Sequence, residues 1–476
     1  MEIWEDLIHQ TGVAPGLYET DVTLTGDTDP LCDSPFRLVE GISSIHAAIG
    51  SAAAGIWKIR SGESQSVVVD RTQGLPSMHR ITYVYQNGTP IQLDSFINPT
   101  GQKHKTRDGR WIETTTTFSH LADGVLKLLE TWNEVDAVSD KIRQWDAQKL
   151  EDEMSARGLC GVMIRTKDEW RQHPQGQILA TQPVVTVEKI ADGDPVEFSP
   201  GGDRPLSGVR VLDLTHVIAG PMIGCTLAEH GADVLHIAKY GMPRVQVNVM
   251  DTGHGKRSAY LNLDDRTQFT RLMKLAREGD VFVDGYAPGS LAKRGISPQR
   301  LAEIRPGMIY VSESCYGETG PWGGRKGWEN EGQACTGMMT DHGTIDSPSY
   351  APPMYINDYS TGYLGALGAM AALIRRSQEG GSYHVRVALA RTSMWYQDLG
   401  RVPDEQRRKY SGLLAEEVSE STVSLNLDNV RMIEASTPWG QLRHMGHVLE
   451  MSKTPPRWEQ PSSPLGSHMP EWVSHS

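Results

Sequence analysis

Four times between residues 209 and 317 a short apolar run feeds a glycine-bearing loop: "VRVLDLT" (209–215), "ADVLHIA" (232–238), "GDVFVDGYAPG" (279–289) and "GMIYVSESCYG" (307–317). Helix-like segments separate the runs. Alternation of this kind specifies an α/β fold built on a parallel sheet. After the first run comes "AGP", then a helix-like stretch to Gly231, where glycine suits a C-cap, and the next strand begins at once. Such a β-α-β unit closes with a right-handed crossover. The Pro/Gly-rich "SPGGDRPLSG", ending at Gly208, marks a boundary ahead of it.

The chain has 476 residues, 38% of them apolar, enough for two or three domains with real cores. No run of 18 apolar residues suggests a membrane span. The net charge of −13 argues against broad nucleic-acid binding, though it leaves room for a local basic pocket that holds a phosphorylated ligand. Five cysteines (Cys32, Cys160, Cys225, Cys315, Cys335) are scattered and lack CxxC spacing, which fits reduced thiols better than disulfides or zinc. The first residues, "MEIWEDLIHQ", have neither the basic nor the apolar region of a signal peptide, and "WVSHS" at the other end carries no address. A cytoplasmic location is the expectation. "HVIAGPMIG" is not GxGxxG, and GxxxxGK[ST] occurs nowhere, so nicotinamide and nucleoside-triphosphate chemistry rank low. His216, His254 and His342 have no HxxH or HxxxH companion and read as structural or solvent-facing, with no metal site.

An internal echo is present. "AAIGSAAAGIWKIRSGESQSVVVDRTQG" (47–74) resembles "GALGAMAALIRRSQEGGSYHVRVALART" (365–392): a small-residue helix, a basic exit, a glycine turn and a strand. Laid without gaps, Glu40 falls on Asp358 and Ser64 on Ser382. The expected organisation is a partial copy of the α/β half-domain at 1–100, a smaller α+β domain at 101–200, the main α/β domain at 205–400, and a largely irregular extension at 401–476. "DGRWIETTTTF" (108–118) reads as turn and strand, "WDAQKLEDEMSARGL" (145–159) as an amphipathic helix, and 165–185 as a helix start and loop.

Asp358 precedes the small-residue run of "INDYSTGYLGALGAMAALIRR" (356–376). On position alone it is either a helix cap or a carboxylate that reacts.

The strings "PLSGVRVLDLTHVIAGP" (205–221), "LAEHGADVLHI" (227–237), "GKRSAYLNL" (255–263), "GYAPGSLAKRGIS" (285–297), "IRPGMIYVSESCYGETGPW" (304–322), "GWENEGQACTGMM" (327–339) and "DYSTGYLGALGAMAALIRR" (358–376) together resemble the family III CoA-transferases. That family includes carnitine and formyl-CoA transferases and 2-methylacyl-CoA racemases. The chain is similar to a longer subgroup that begins with a partial copy. The resemblance implies a Rossmann-like parallel sheet with a smaller α+β domain. It implies acyl-CoA and a small carboxylic acid as partners, CoA as substrate with no permanently bound cofactor, and it admits a homodimer.

Asp358 takes the position of the family's covalent nucleophile, which attacks the thioester to form an anhydride and then an aspartyl-CoA thioester. Glu329 takes the place of a neighbouring acid. For holding CoA the resemblance implies Lys239, Lys256, Arg257, Tyr286, Lys293, Arg294 and Lys326; phosphates favour such cations on loops. Trp328 stands where racemase-type members carry a proton-shuttling histidine, and an indole cannot do that transfer. Ile218 replaces a glutamine of formyl-CoA transferases. CoA transfer is therefore the first expectation. An acyl-CoA racemase or epimerase, and a non-catalytic acyl-CoA-binding protein, are the alternatives.

Overall fold

The apolar runs become the strands of a seven-stranded sheet: β1 (Thr186–Ala191), β2 (Arg210–Leu214), β3 (Asp233–Ala238), β4 (Lys256–Tyr260), β5 (Val281–Asp284), β6 (Ile309–Ser314) and β7 (Ser382–Ala388). This computed structural model describes residues 1–18, 20–28, 32–91, 98, 100–407 and 430–473. The strand order is β4-β3-β2-β5-β6-β7-β1; every neighbour is parallel except β1, which runs antiparallel to β7. Residues such as Val211, Leu235, Phe282 and Val311 are fully buried or nearly so, as befits strands covered on both faces. The chain leaves β2 through β3 to β4, then returns to the other side of β2 as β5. A reversal of this kind opens a crevice at the carboxyl ends of the strands.

Four helices matter to that crevice: α1 (Leu38–Ser61), α2 (Ala219–Glu229), α3 (Glu329–Thr336) and α4 (Ile356–Glu379). α4 packs on α1, α2, β6 and β7. A Cβ added at Gly362 would lie 2.6 Å from the Cβ of Met222 on α2, and one at Gly365 would lie 2.6 Å from Ile223 Cδ1. Real Cβ atoms do not approach so closely, so the small residues are what let α2 and α4 meet. Among the described residues no helix is long and apolar enough to cross a membrane.

The strand expected in 108–118 is Trp111–Thr114, and the helix expected in 145–159 is Ala147–Ala156. Three parts of the expected organisation need correction. Segment 165–185 is chiefly two helices, Lys167–Gln172 and Pro174–Ala180; Thr166 and Glu169 cap the first reciprocally. β1 falls inside 101–200 yet completes the edge of the main sheet beside β7. Within 401–476, residues 408–429 lie outside the described set, but 432–451 is not irregular. It forms strands Met432–Thr437, Gly440–Met445 and Leu449–Met451. The last of these joins Val67–Asp70 and Val22–Thr25 in a small separate sheet.

Candidate active site

Asp358 is the third residue of α4 and is 8% exposed. Its backbone N–H donates to Glu329 Oε2 at 2.9 Å. Glu329 Oε1 accepts from Asn357 Nδ2 at 2.9 Å and from Gln333 Nε2 at 2.7 Å. Glu329, the first residue of α3, thus supplies the carboxylate that satisfies the amino end of α4. The capping duty open to Asp358 on position alone is met by another residue. No hydrogen bond among the described residues reaches the Asp358 carboxylate, which borders a cavity of about 460 Å³.

Burial pushes the proton affinity of both carboxyls up, and the Asp358 charge raises Glu329 further, against the pull of its hydrogen bonds. Two acids this close and this dry do not both ionise readily, so the pair retains a proton into the neutral range.

The wall of the cavity comes from several segments. Val217 and Ile218 follow β2, Val245 caps the helix Gln246–Thr252 that carries Val247 and Asn248, and Thr115, Thr117 and Phe118 follow strand Trp111–Thr114. Val217 has φ +71°, a conformation a β-branched residue rarely adopts. Strain of this sort concentrates at functional loops. Trp328 packs its ring 5.4 Å from Phe118, and His216 lies 5.2 Å from the same ring. His216 Nε2 pairs with the Pro243 carbonyl at 2.8 Å, and burial lowers its proton affinity.

Sequence reasoning missed three acids nearby, Glu113 and Glu331 buried and Glu313 half-buried. Glu113 accepts from Tyr350 Oη at 2.7 Å and is pushed up to about 8, chiefly by burial. Glu313, at the carboxyl end of β6, is likewise pushed up to about 8, by burial and then by Asp358. Glu331 is pushed up to about 7 by burial; its Oε2 accepts the Trp328 amide at 2.9 Å, the return half of a capping box. The spacing of Trp328 and Glu331 at the start of α3 was the signal available for the last of these.

The residues expected to hold CoA divide. Lys239, Tyr286 and Arg294 line one cavity of about 220 Å³ beyond the ends of β2, β3 and β5. Asp264 pairs there with Lys239 at 2.8 Å and with Arg294 at 2.5 Å, one acid against two cations. Lys293 is exposed beside Arg294. Lys256 is buried and borders a small cavity, and its amine bonds Asp213 Oδ2 at 2.8 Å and the Pro221 carbonyl, which makes it also a strut between β4, β2 and α2. Arg257 is committed to Asp233 at 2.9 Å and to the Glu471 carbonyl. Lys326 is exposed and borders none of these cavities; its amine faces Gly158. A cation the sequence did not point to, Arg244, lines a small cavity of about 50 Å³ that shares Val217, Val245 and Asn248 with the larger one. The three cavities follow one another along segments 214–218 and 242–249.

Residues 206–403 match CoA-transferase family III. An acyl-CoA transferase of Gibberella moniliformis (strain M3125 / FGSC 7600) is 30% identical over 344 residues, 68% of this chain and 58% of that one. The succinyl-CoA:glutarate CoA-transferase of Mus musculus is 32% identical over 189 residues, 37% of this chain and 43% of that one. The chain thus spans about half the length of these curated relatives. Among solved structures, a hypothetical protein (Rv3272) from Mycobacterium tuberculosis superposes with a TM-score of 0.37 at 25% identity, covering 52% of this chain and 64% of that one. The strand-and-glycine-loop region, with Glu329 and Asp358 at its crevice, belongs to CoA-transferase family III.

Proposed function

We propose that this chain moves CoA from an acyl-CoA to a carboxylic acid, with Asp358 as the covalent nucleophile on a Rossmann-like sheet. The observation that carries the reading is the Asp358 carboxylate itself. It is relieved of helix capping by Glu329, accepts no hydrogen bond among the described residues, and borders a cavity large enough for an acyl group.

The steps balance as follows. An Asp358 oxygen attacks the thioester carbonyl carbon; the C–S bond breaks, leaving a mixed anhydride and CoA thiolate. The thiolate attacks the aspartyl carbonyl and expels the first carboxylate, giving an aspartyl-CoA thioester. The acceptor carboxylate attacks that carbonyl and expels thiolate, which then attacks the acceptor carbonyl and restores the Asp358 carboxylate. The route begins, pauses and ends on thioesters of comparable energy, with a higher-lying anhydride between each pair, and so splits one hard exchange into easier steps. Glu329 positions Asp358 by holding its amide. The chain of cavities suits an extended ligand, with phosphates toward Lys239, Arg294 and Arg244, and the thioester at Asp358. Trp328 offers no basic nitrogen for an α-proton, which disfavours racemisation.

Hydroxylamine or borohydride added during turnover should trap an activated carboxyl at Asp358, located by peptide mass. Rapid α-deuterium exchange into a 2-methylacyl-CoA in heavy water, with no trapped adduct, would overturn the transferase reading.

A further inference from the structure

The described residues that border the Asp358 cavity include no lysine, arginine or histidine. Its charged members are Asp358 and Glu329, both negative when ionised. Apolar side chains make up much of the rest, among them Ile81, Phe118, Val135, Val217, Ile218 and Met354. The polar members are neutral: amides at Asn98, Gln102, Asn248 and Asn330, and hydroxyls at Thr115, Thr117 and Tyr350. Cations in the neighbourhood are placed or occupied elsewhere. Arg80 is buried and bonds Asp251 at 3.1 Å. Lys103 bonds the Pro348 carbonyl at 2.9 Å. Arg244 lines the adjoining small cavity and not this one.

From this lining we infer that the cavity takes a monocarboxylic acid with an apolar chain, or its CoA thioester, and rejects dicarboxylates. The inference rests on the reading of Asp358 as the site of CoA transfer. One carboxylate, the reacting one, can sit among the neutral amides beside Asp358. A second carboxylate at the far end of the chain would lose its water against apolar walls with no cation to receive it. The mouse relative, by its name, handles two dicarboxylates; the lining here points the other way. Gln102 marks where selectivity can be reversed, since its side chain accepts no duty in the described hydrogen-bond network yet borders the cavity.

The test pairs straight-chain mono- and dicarboxylic acids of equal carbon number. Binding of each free acid is read in the presence of CoA by calorimetry, and CoA transfer by the new thioester formed. The expected result is preference for the monocarboxylate by about a hundredfold or more in both readouts. Gln102→Arg should shift the ratio toward the dicarboxylate by at least about tenfold. Equal use of the two acids by the unaltered chain would overturn the inference and leave CoA transfer standing. Selective binding of monocarboxylates without any transfer would uphold the selectivity and overturn the transferase reading. Binding of neither class would overturn both.

Discussion

α1 and α4 are built alike and set in different surroundings. Each is 24 residues long, and each carries an acid at its third position, Glu40 in one and Asp358 in the other. A strand follows each, Val67–Asp70 and β7, and a further helix follows that, Arg71–Ser77 and Leu389–Asp398. Even a contact repeats: a Cβ at Gly50 would lie 2.5 Å from Val67 Cγ1, and one at Gly368 would run into Val385 Cγ1. The acids differ. Glu40 forms an ion pair with Arg37 in partly exposed surroundings. Asp358 is buried, with a second carboxylate on its own amide. Shared packing therefore does not imply shared chemistry. What distinguishes the two acids is the cation beside Glu40 and the second carboxylate, Glu329, on the amide of Asp358.

The sharpest way to break this comparison is to exchange the acids' fates. Asp358→Asn should lower CoA transfer by about 10⁴-fold or more, while Glu40→Gln should change it less than about twofold, both read as kcat/KM for thioester formation. Comparable losses from the two substitutions would mean that α1 shares in catalysis.

Stability should divide along the same line. Arg80, a few residues beyond the helix Arg71–Ser77, bonds Asp251, and Asp251 accepts from Tyr359 Oη at 2.8 Å, next to Asp358 in the chain. All three groups are buried. Arg80→Ala should cost about 3–5 kcal/mol in urea unfolding because Asp251 is left charged and unpaired. Arg37→Ala, at the solvated pair of α1, should cost about 0–1 kcal/mol.

A smaller and more even effect is expected at the repeated contact. Gly50→Ala and Gly368→Ala should each destabilise by about 1–3 kcal/mol, because both glycines face a valine with no room for a methyl. A large difference between them would show that the two helix–strand pairs are packed to different tolerance.

The smallest effect sharpens the electrostatic side. The proposed mechanism requires Asp358 as the carboxylate, and burial raises its proton affinity in the folded chain. Protonation as pH falls therefore removes the nucleophile, so kcat/KM should rise with pH between about 6 and 8. Glu329→Gln leaves the burial that raises Asp358 in place, so that limb should stay where it is while activity falls through lost positioning.

Much of this was legible in the sequence because it is local. Strands β2, β3, β5 and β6 lie within the four apolar runs, and the small-residue stretch from Gly362 marks the helix that meets α2. The place of Asp358 ahead of that stretch left it open between cap and reactive carboxylate, and only the fold shows that Glu329 holds its amide. The role of Lys256 as a strut was not legible, since "GKRS" looks like a phosphate loop until strand pairing brings Asp213 against its amine. Glu113 and Glu313 were hidden for a similar reason: single acids in strand sequences acquire meaning only when the fold brings Tyr350 and Asn330 onto the first and Asp358 near the second. The hairpin at 432–445 escaped because its strands alternate weakly and draw part of their pairing from strand Tyr85–Gln86, far off in the chain.

Glu329 on the amide of Asp358 has a consequence for what drives the reaction. The positive end of a helix commonly steadies a ligand's anion; here that field is already engaged by the protein's own carboxylate. Negative charge that develops on the thioester oxygen has to be met by oriented neutral dipoles, for which the amides of Asn98, Gln102, Asn248 and Asn330 are at hand. Fixed dipoles at close range are scarcely screened by dissolved ions, unlike the exposed cations near the nucleotide end. Capture of CoA and conversion of CoA should therefore answer differently to ionic strength: the first weakens as salt is added, and the second holds its rate.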